Sequence, residues 1–145
     1  MHPQPYRVWY HVLTSLNTPE HPLWTGLAGQ PVGGLTVARH LQATIYLLCA
    51  QGWAGDGLHG ARRLSLTAAI WRVTDRDLSA DSAWAATVLL DHLVRTRTCS
   101  RDVGASTWAE HTNRTWEEVG TLLATGVEYA RLYGPAVLRN RLTAA

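Results

Sequence analysis

A chain of 145 residues can bury a core without disulfides or a metal. Its 46% hydrophobic and 17% charged residues exclude a disordered or low-complexity chain, and a formal charge of +2 is too small for a strongly basic nucleic-acid footprint. All 13 basic residues are arginine and there are seven tryptophans but no phenylalanine, a bias that reads as GC-rich ancestry before chemistry.

Proline draws the first boundary. Pro3, Pro5, Pro19, Pro22 and Pro31 crowd the start of the chain, and only Pro135 follows. Because proline breaks helix interiors, this distribution predicts an irregular arm, residues 1–35, ahead of a single helical domain, residues 36–145. Residues 6–16 are apolar and suit either a short helix or a strand. The arm carries Tyr6, Trp9, Tyr10 and Trp24 but only Arg7 and Glu20 as charges, so it is expected to pack on the body or on a second subunit rather than behave as a solvated linker. The start of the chain shows no basic region followed by an apolar run, and no apolar stretch suits a bilayer span. A soluble, cytoplasmic protein with no membrane partner is expected.

In the body, residues 36–51 form the first predicted helix, capped by Thr36, with Val37, Ala38, Leu41, Ile45, Leu48 and Cys49 on its buried face. Cys49 is expected to pack as a small apolar residue, and Gly52 to close the helix in the left-handed region. A glycine-rich loop follows, then a central buried helix over residues 61–73. Ser79 or Asp81 caps a long helix running to about Arg97, with Trp84, Val88, Leu89, Leu93 and Val94 inward. Thr107-Trp108-Ala109-Glu110 and Thr115-Trp116-Glu117-Glu118 both read as T-x-x-E capping boxes, in which the threonine hydroxyl and the glutamate carboxylate satisfy free N–H groups of a helix start. The first helix can be only one or two turns; the second runs to Tyr133, where Gly134 and Pro135 stop it. No segment alternates with period two, so the fold class is an all-α bundle of about five helices.

Three of these segments resemble a family of short helical proteins of unassigned activity from actinobacteria and their phages. They are the helix ending in Gly52-Trp53, the small-residue run Leu66-Thr67-Ala68-Ala69-Ile70, and Trp108 spaced five residues from Arg114-Thr115-Trp116-Glu117-Glu118-Val119. The family usually reads W-N-D-x-x-x-R-T-x-E-E-V in the third segment, where this chain has Ala109-Glu110 for N-D. The second segment often holds cysteine and glycine where this chain has Leu64-Ser65 and Thr67. The resemblance spans about residues 36–130, implies a helical fold and implies no reaction.

Catalytic signatures are absent from the sequence. The glycine-rich loop, with Asp56 and His59 before Arg62-Arg63, could cradle an anion, but it lacks both the Walker and the dinucleotide spacing. The seven histidines show no H-x-x-x-H or H-E-x-x-H pairing, and Cys49 and Cys99 form no metal motif; no cofactor and no metal are expected. The densest polar cluster is Trp108, Glu110, His111, Arg114 and Trp116, on a turn-rich stretch. Against a binding role, the same residues read as two core anchors, a cap and an arginine partner to a helix end. With Asp56 and His59 they are the candidate binding residues; no catalytic residue is assigned.

The leading functional reading is a non-enzymatic accessory or regulatory protein acting through protein contacts, as a homodimer. The alternative is a helix-turn-helix DNA-binding protein using residues 115–133, with a turn at Ala124-Thr125-Gly126 and Glu128 and Arg131 facing the bases. It is weakened by the lack of other base-reading side chains there; the tail residues Arg139 and Arg141 would reach phosphates. A small-molecule enzyme with a His/acid site is the third.

Overall fold

The computed structural model describes residues 3–8, 22–54, 63–73, 78–111 and 113–136, and among them five α-helices follow one another. They are α1 (Gly34–Gln51), α2 (Leu66–Arg72), α3 (Ala80–Thr98), α4 (Ala105–Ala109) and α5 (Trp116–Tyr133). No strand occurs among the described residues; two isolated bridges, Thr25 with Pro31 and Trp53 with Leu64, tie loop ends together. The fold is an all-α bundle.

The long helices α1, α3 and α5 make the core. α1 packs most extensively against α5, and both pack on α3. The three meet at Gly126. A Cβ there would lie 2.7 Å from Leu41 Cδ1 of α1 and 3.1 Å from Leu90 Cδ2 of α3, so the missing side chain is what lets two leucines close over the helix. The junction also corrects an expectation. The turn at Ala124, Thr125 and Gly126 does not form: α5 is continuous, and all three residues are buried. Tertiary close approach explains the small residues that looked like a turn.

The α1 boundary differs from expectation at its start. The helix begins at Gly34 with Gly33 as N-cap, and Thr36 lies inside it rather than capping it. The Gly34 N–H instead donates to the Pro135 carbonyl at 2.8 Å, so the chain beyond α5 serves the start of α1. Gly52 closes α1 with φ of 87°. Cys49 does not pack inward. It is exposed, because the buried line runs through Leu41, Ile45 and Leu48, and the next residue is about 100° further round the helix. His40 and Thr44 take buried positions instead.

α2 is shorter and more peripheral than expected. It begins after Ser65, whose hydroxyl accepts from the Ala68 N–H at 3.1 Å. Leu66, Ala69 and Ile70 are buried, while Trp71 is exposed. Ser79 precedes α3 as expected, Leu89, Leu93 and Val94 lie in the core, and Trp84 is only half-buried.

The described parts of the arm lie on the body. The Tyr6 N–H donates to Thr125 Oγ1 at 2.8 Å, its phenol donates to the Leu93 carbonyl at 3.3 Å, and the Arg97 guanidinium stands 4.4 Å from its ring centroid. Burial pushes the Tyr6 phenol up to about 12, outweighing the opposite pull of Arg97. Further on, Trp24 stacks on Tyr129 of α5 at 6.3 Å, and the Leu27 N–H donates to Asp81 Oδ1 at 3.0 Å. Asp81 therefore holds the arm, and Ser79 marks the start of α3.

Candidate functional site

The stretch from α4 to the first residue of α5 holds five of the predicted site residues. Trp108 is buried on α4. Arg114 is positioned by a turn, its N–H donating to the His111 carbonyl at 2.9 Å. Its guanidinium then lies 4.1 Å from the Trp108 ring centroid, while Nε donates to the Trp108 carbonyl at 3.0 Å and Nη1 donates to Glu118 Oε2 at 2.7 Å. One side chain thus stacks on the tryptophan, satisfies a carbonyl at the end of α4 and pairs with the acid that opens α5.

Glu118 completes a capping box. Its N–H donates to Thr115 Oγ1 at 3.2 Å, and its Oε1 accepts from the Thr115 N–H at 3.3 Å. The hydrogen bond from Arg114, helped by the Thr115 N–H, holds the Glu118 carboxyl below the ordinary glutamate range. Trp116 is half-buried against the core.

The first box does not form. Thr107 lies within α4 and Glu110 is its C-cap residue. The helix starts at Ala105, whose N–H donates to Asp91 Oδ1 at 2.7 Å, so an aspartate of α3 supplies the acceptor the threonine was expected to supply. Glu110 and His111 are exposed. Glu110 accepts a long 3.5 Å bond from Ser106, and His111 Nδ1 accepts from the Asn113 N–H at 3.4 Å. The structure therefore brings Trp108, Arg114 and Glu118 together, sets Trp116 against the core and leaves Glu110 and His111 facing outward. Asp56 and His59 lie outside the described residues, as do Arg139 and Arg141.

A second polar cluster escaped sequence reasoning. His40 is fully buried and joins three helices: Nε2 lies 2.6 Å from the Ile70 carbonyl of α2, and Nδ1 lies 2.8 Å from Ser82 Oγ of α3. Since a carbonyl only accepts, Nε2 carries the proton. Ser82 Oγ also receives the Ser79 N–H at 2.9 Å. Every partner named here is structural, binding the starts and ends of helices to one another. Among the described residues no group of three His, Cys, Asp or Glu side chains is placed to hold a metal ion, and no helix is long and apolar enough to cross a membrane.

Described residues line two open grooves. One, of about 310 Å³, runs between α1 and α5 and is lined by Pro3, Gln42, Ile45, Val127, Glu128 and Arg131 among others. The other, of about 480 Å³, lies where Pro31, Leu35, Ser79, Asp81 and Pro135 meet. Neither contains Glu110 or His111.

Among the described residues, the outward side of α1 also exposes large apolar side chains. Leu35, Arg39, Gln42, Tyr46 and Cys49 recur at spacings of four and three, which places them on one stripe. Leu35 is 62% exposed and Tyr46 61% exposed, although both are large and apolar. Arg39 is the single charge (Asp, Glu, Lys or Arg) in the 18 residues of α1. The signal was present in the sequence as this 4-3-4-3 spacing, masked by Cys49 beside the buried Leu48.

Comparisons with family models, with curated proteins and with solved structures each return no match.

Proposed function

We propose that this chain is a small non-enzymatic accessory or regulatory protein that acts through protein contacts, and that the outward side of α1 carries them. The observation behind this reading is the composition of that stripe. A surface helix normally turns a charged face to water, whereas α1 turns leucine, glutamine, tyrosine and cysteine outward with one arginine. The described aromatic side chains of the arm, Tyr6 and Trp24, are engaged with the body, which leaves α1 as the long charge-poor surface among the described residues. Kinship with the short actinobacterial and phage helical proteins is a proposal of ancestry that rests on the three segments quoted above.

The test is site-specific photo-crosslinking in the source cell. A benzophenone amino acid in place of Tyr46 is expected to give discrete adducts, identified by mass spectrometry as this chain or another protein. The same probe at Glu117, exposed on α5, is expected to give none. Equal or absent adducts at both positions would overturn the reading.

A further inference from the structure

We infer that residues 3–6 are a strap that opens and closes over an intact bundle, and that its position sets the width of the groove between α1 and α5. The device is independent of the contacts proposed for α1.

The strap is fastened to α5 and α3. Pro3 rests on Gly120, the Tyr6 N–H donates to Thr125 Oγ1 at 2.8 Å, and the Tyr6 phenol donates to the Leu93 carbonyl at 3.3 Å with Arg97 over its ring. None of these fastenings is part of the helices it touches. The Thr125 hydroxyl gives its own proton to the Thr121 carbonyl at 2.7 Å, so it offers the strap only a lone pair. Leu93 lies well inside α3, where the helix ladder already uses its carbonyl. Releasing these contacts therefore breaks no bond within α3 or α5. Pro3 and Pro5 have no N–H, so residues 3–6 cannot form a regular backbone ladder with a neighbour. Gln4, between the prolines, is exposed. A segment held this way opens at lower free energy than the core beneath it.

The seat is shaped for the closed state. Gly120 is buried within α5, and a Cβ there would stand 2.9 Å from Pro3 Cγ and 3.1 Å from Pro3 Cβ. The space of the missing side chain is what the closed strap fills. Pro3 and Pro5 also form one wall of the groove of about 310 Å³, at whose base lie the buried Ile45 of α1 and Ala124 and Val127 of α5. Opening the strap removes that wall and brings water to the three apolar side chains. Gln42, on the outward stripe of α1, lines the groove as well, so the opening lies beside that surface.

Hydrogen exchange on the full chain, followed residue by residue by NMR, tests the strap. With intrinsic rates accounted for, the Tyr6 amide should exchange at least roughly tenfold faster than the Leu123 amide in the middle of α5. Gly120→Ala should give two effects of opposite sense. It improves a helix position but crowds Pro3, so the thermal midpoint should hold or rise while exchange at Tyr6 quickens roughly tenfold. Tyr6→Phe, which alters nothing in the bundle, should raise exchange at position 6 severalfold by removing the bond to Leu93. The groove is read with an environment-sensitive fluorophore on Arg131→Cys in a Cys49→Ser, Cys99→Ser background; its emission should move to the red with either substitution. Three results would each overturn the strap: Tyr6 protected as well as Leu123, exchange at position 6 unmoved by both substitutions, or a Gly120→Ala variant that loses midpoint and quickens both amides alike. Unchanged emission alongside faster exchange at position 6 would overturn its control of the groove.

Discussion

Thr107-Trp108-Ala109-Glu110 and Thr115-Trp116-Glu117-Glu118 share one local code and meet opposite fates. At Thr115 both reciprocal bonds form, and α5 begins on the next residue. At Thr107 neither forms, because α4 has already begun at Ala105 on a carboxylate from α3. A charged acceptor delivered by a neighbouring helix outcompetes a neutral hydroxyl two residues further on. The tryptophans diverge in the same way: Trp108 is 7% exposed in the core, while Trp116 is half-buried near Gly120 and Pro3. A capping motif thus offers a helix start, and the surrounding helices decide whether it is used.

The largest expected effect lies in the tryptophans. Trp108→Ala should cost about 3–5 kcal/mol, because it opens a cavity and removes the ring on which Arg114 rests. Trp116→Ala should cost roughly half as much, in proportion to its partial burial. Chemical denaturation of both variants checks the order, and an equal loss would erase the distinction between the two segments.

Next comes the acceptor for α4. Asp91→Ala leaves the Ala105 N–H without its partner and should cost about 1–2 kcal/mol. Asp91→Asn, which keeps an acceptor oxygen, should recover part of that loss in the same measurement. If Asp91→Ala is silent, α4 does not depend on α3 for its start.

The threonines sharpen the comparison at smaller scale. Thr115→Ala should cost about 1 kcal/mol, as for a functioning N-cap, while Thr107→Ala, exposed within a helix, should stay within about 0.5 kcal/mol of the parent. Matching losses would mean that both boxes operate.

The smallest effect is electrostatic. Arg114 holds the Glu118 carboxyl below the ordinary range, so the folded state favours the ionised form. The stability this contributes is complete above the unfolded glutamate pKa and is lost as pH falls through the lowered folded value. Solvent screening keeps it small. Glu118→Gln should therefore flatten the acid limb of the thermal midpoint against pH, leaving its shape above neutral pH unchanged. An unaltered acid limb would remove the Arg114–Glu118 pair from the stability of this corner.

Legibility followed the same division in the candidate site. Trp108 as a core anchor, Glu118 as a cap and Arg114 as partner to a helix end were readable, because each rests on spacings of three to six residues. The exposure of Cys49 and Tyr46 was less so. Apolar character alone does not say which side of α1 faces the core, because Leu35 and Tyr46 outside and His40 and Thr44 inside break the usual division. His40 as the joint of three helices had no local signal at all, since Ser82 lies 42 residues away and Ile70 lies 30.

By itself the sequence determined the all-α class, the positions of the long helices, the start of α5 at Thr115 and its stop at Gly134, and the close of α1 at Gly52. These are matters of periodicity, capping and backbone conformation, settled by neighbours within a turn or two. Only the tertiary structure decided that α4 starts on Asp91, that α5 runs unbroken through Gly126, and that α1 turns Tyr46 and Cys49 to the surface. Each depends on which side chains of other helices arrive at that point: a carboxylate of α3, two leucines closing over a glycine, or the breadth of α1 that α3 and α5 together cover.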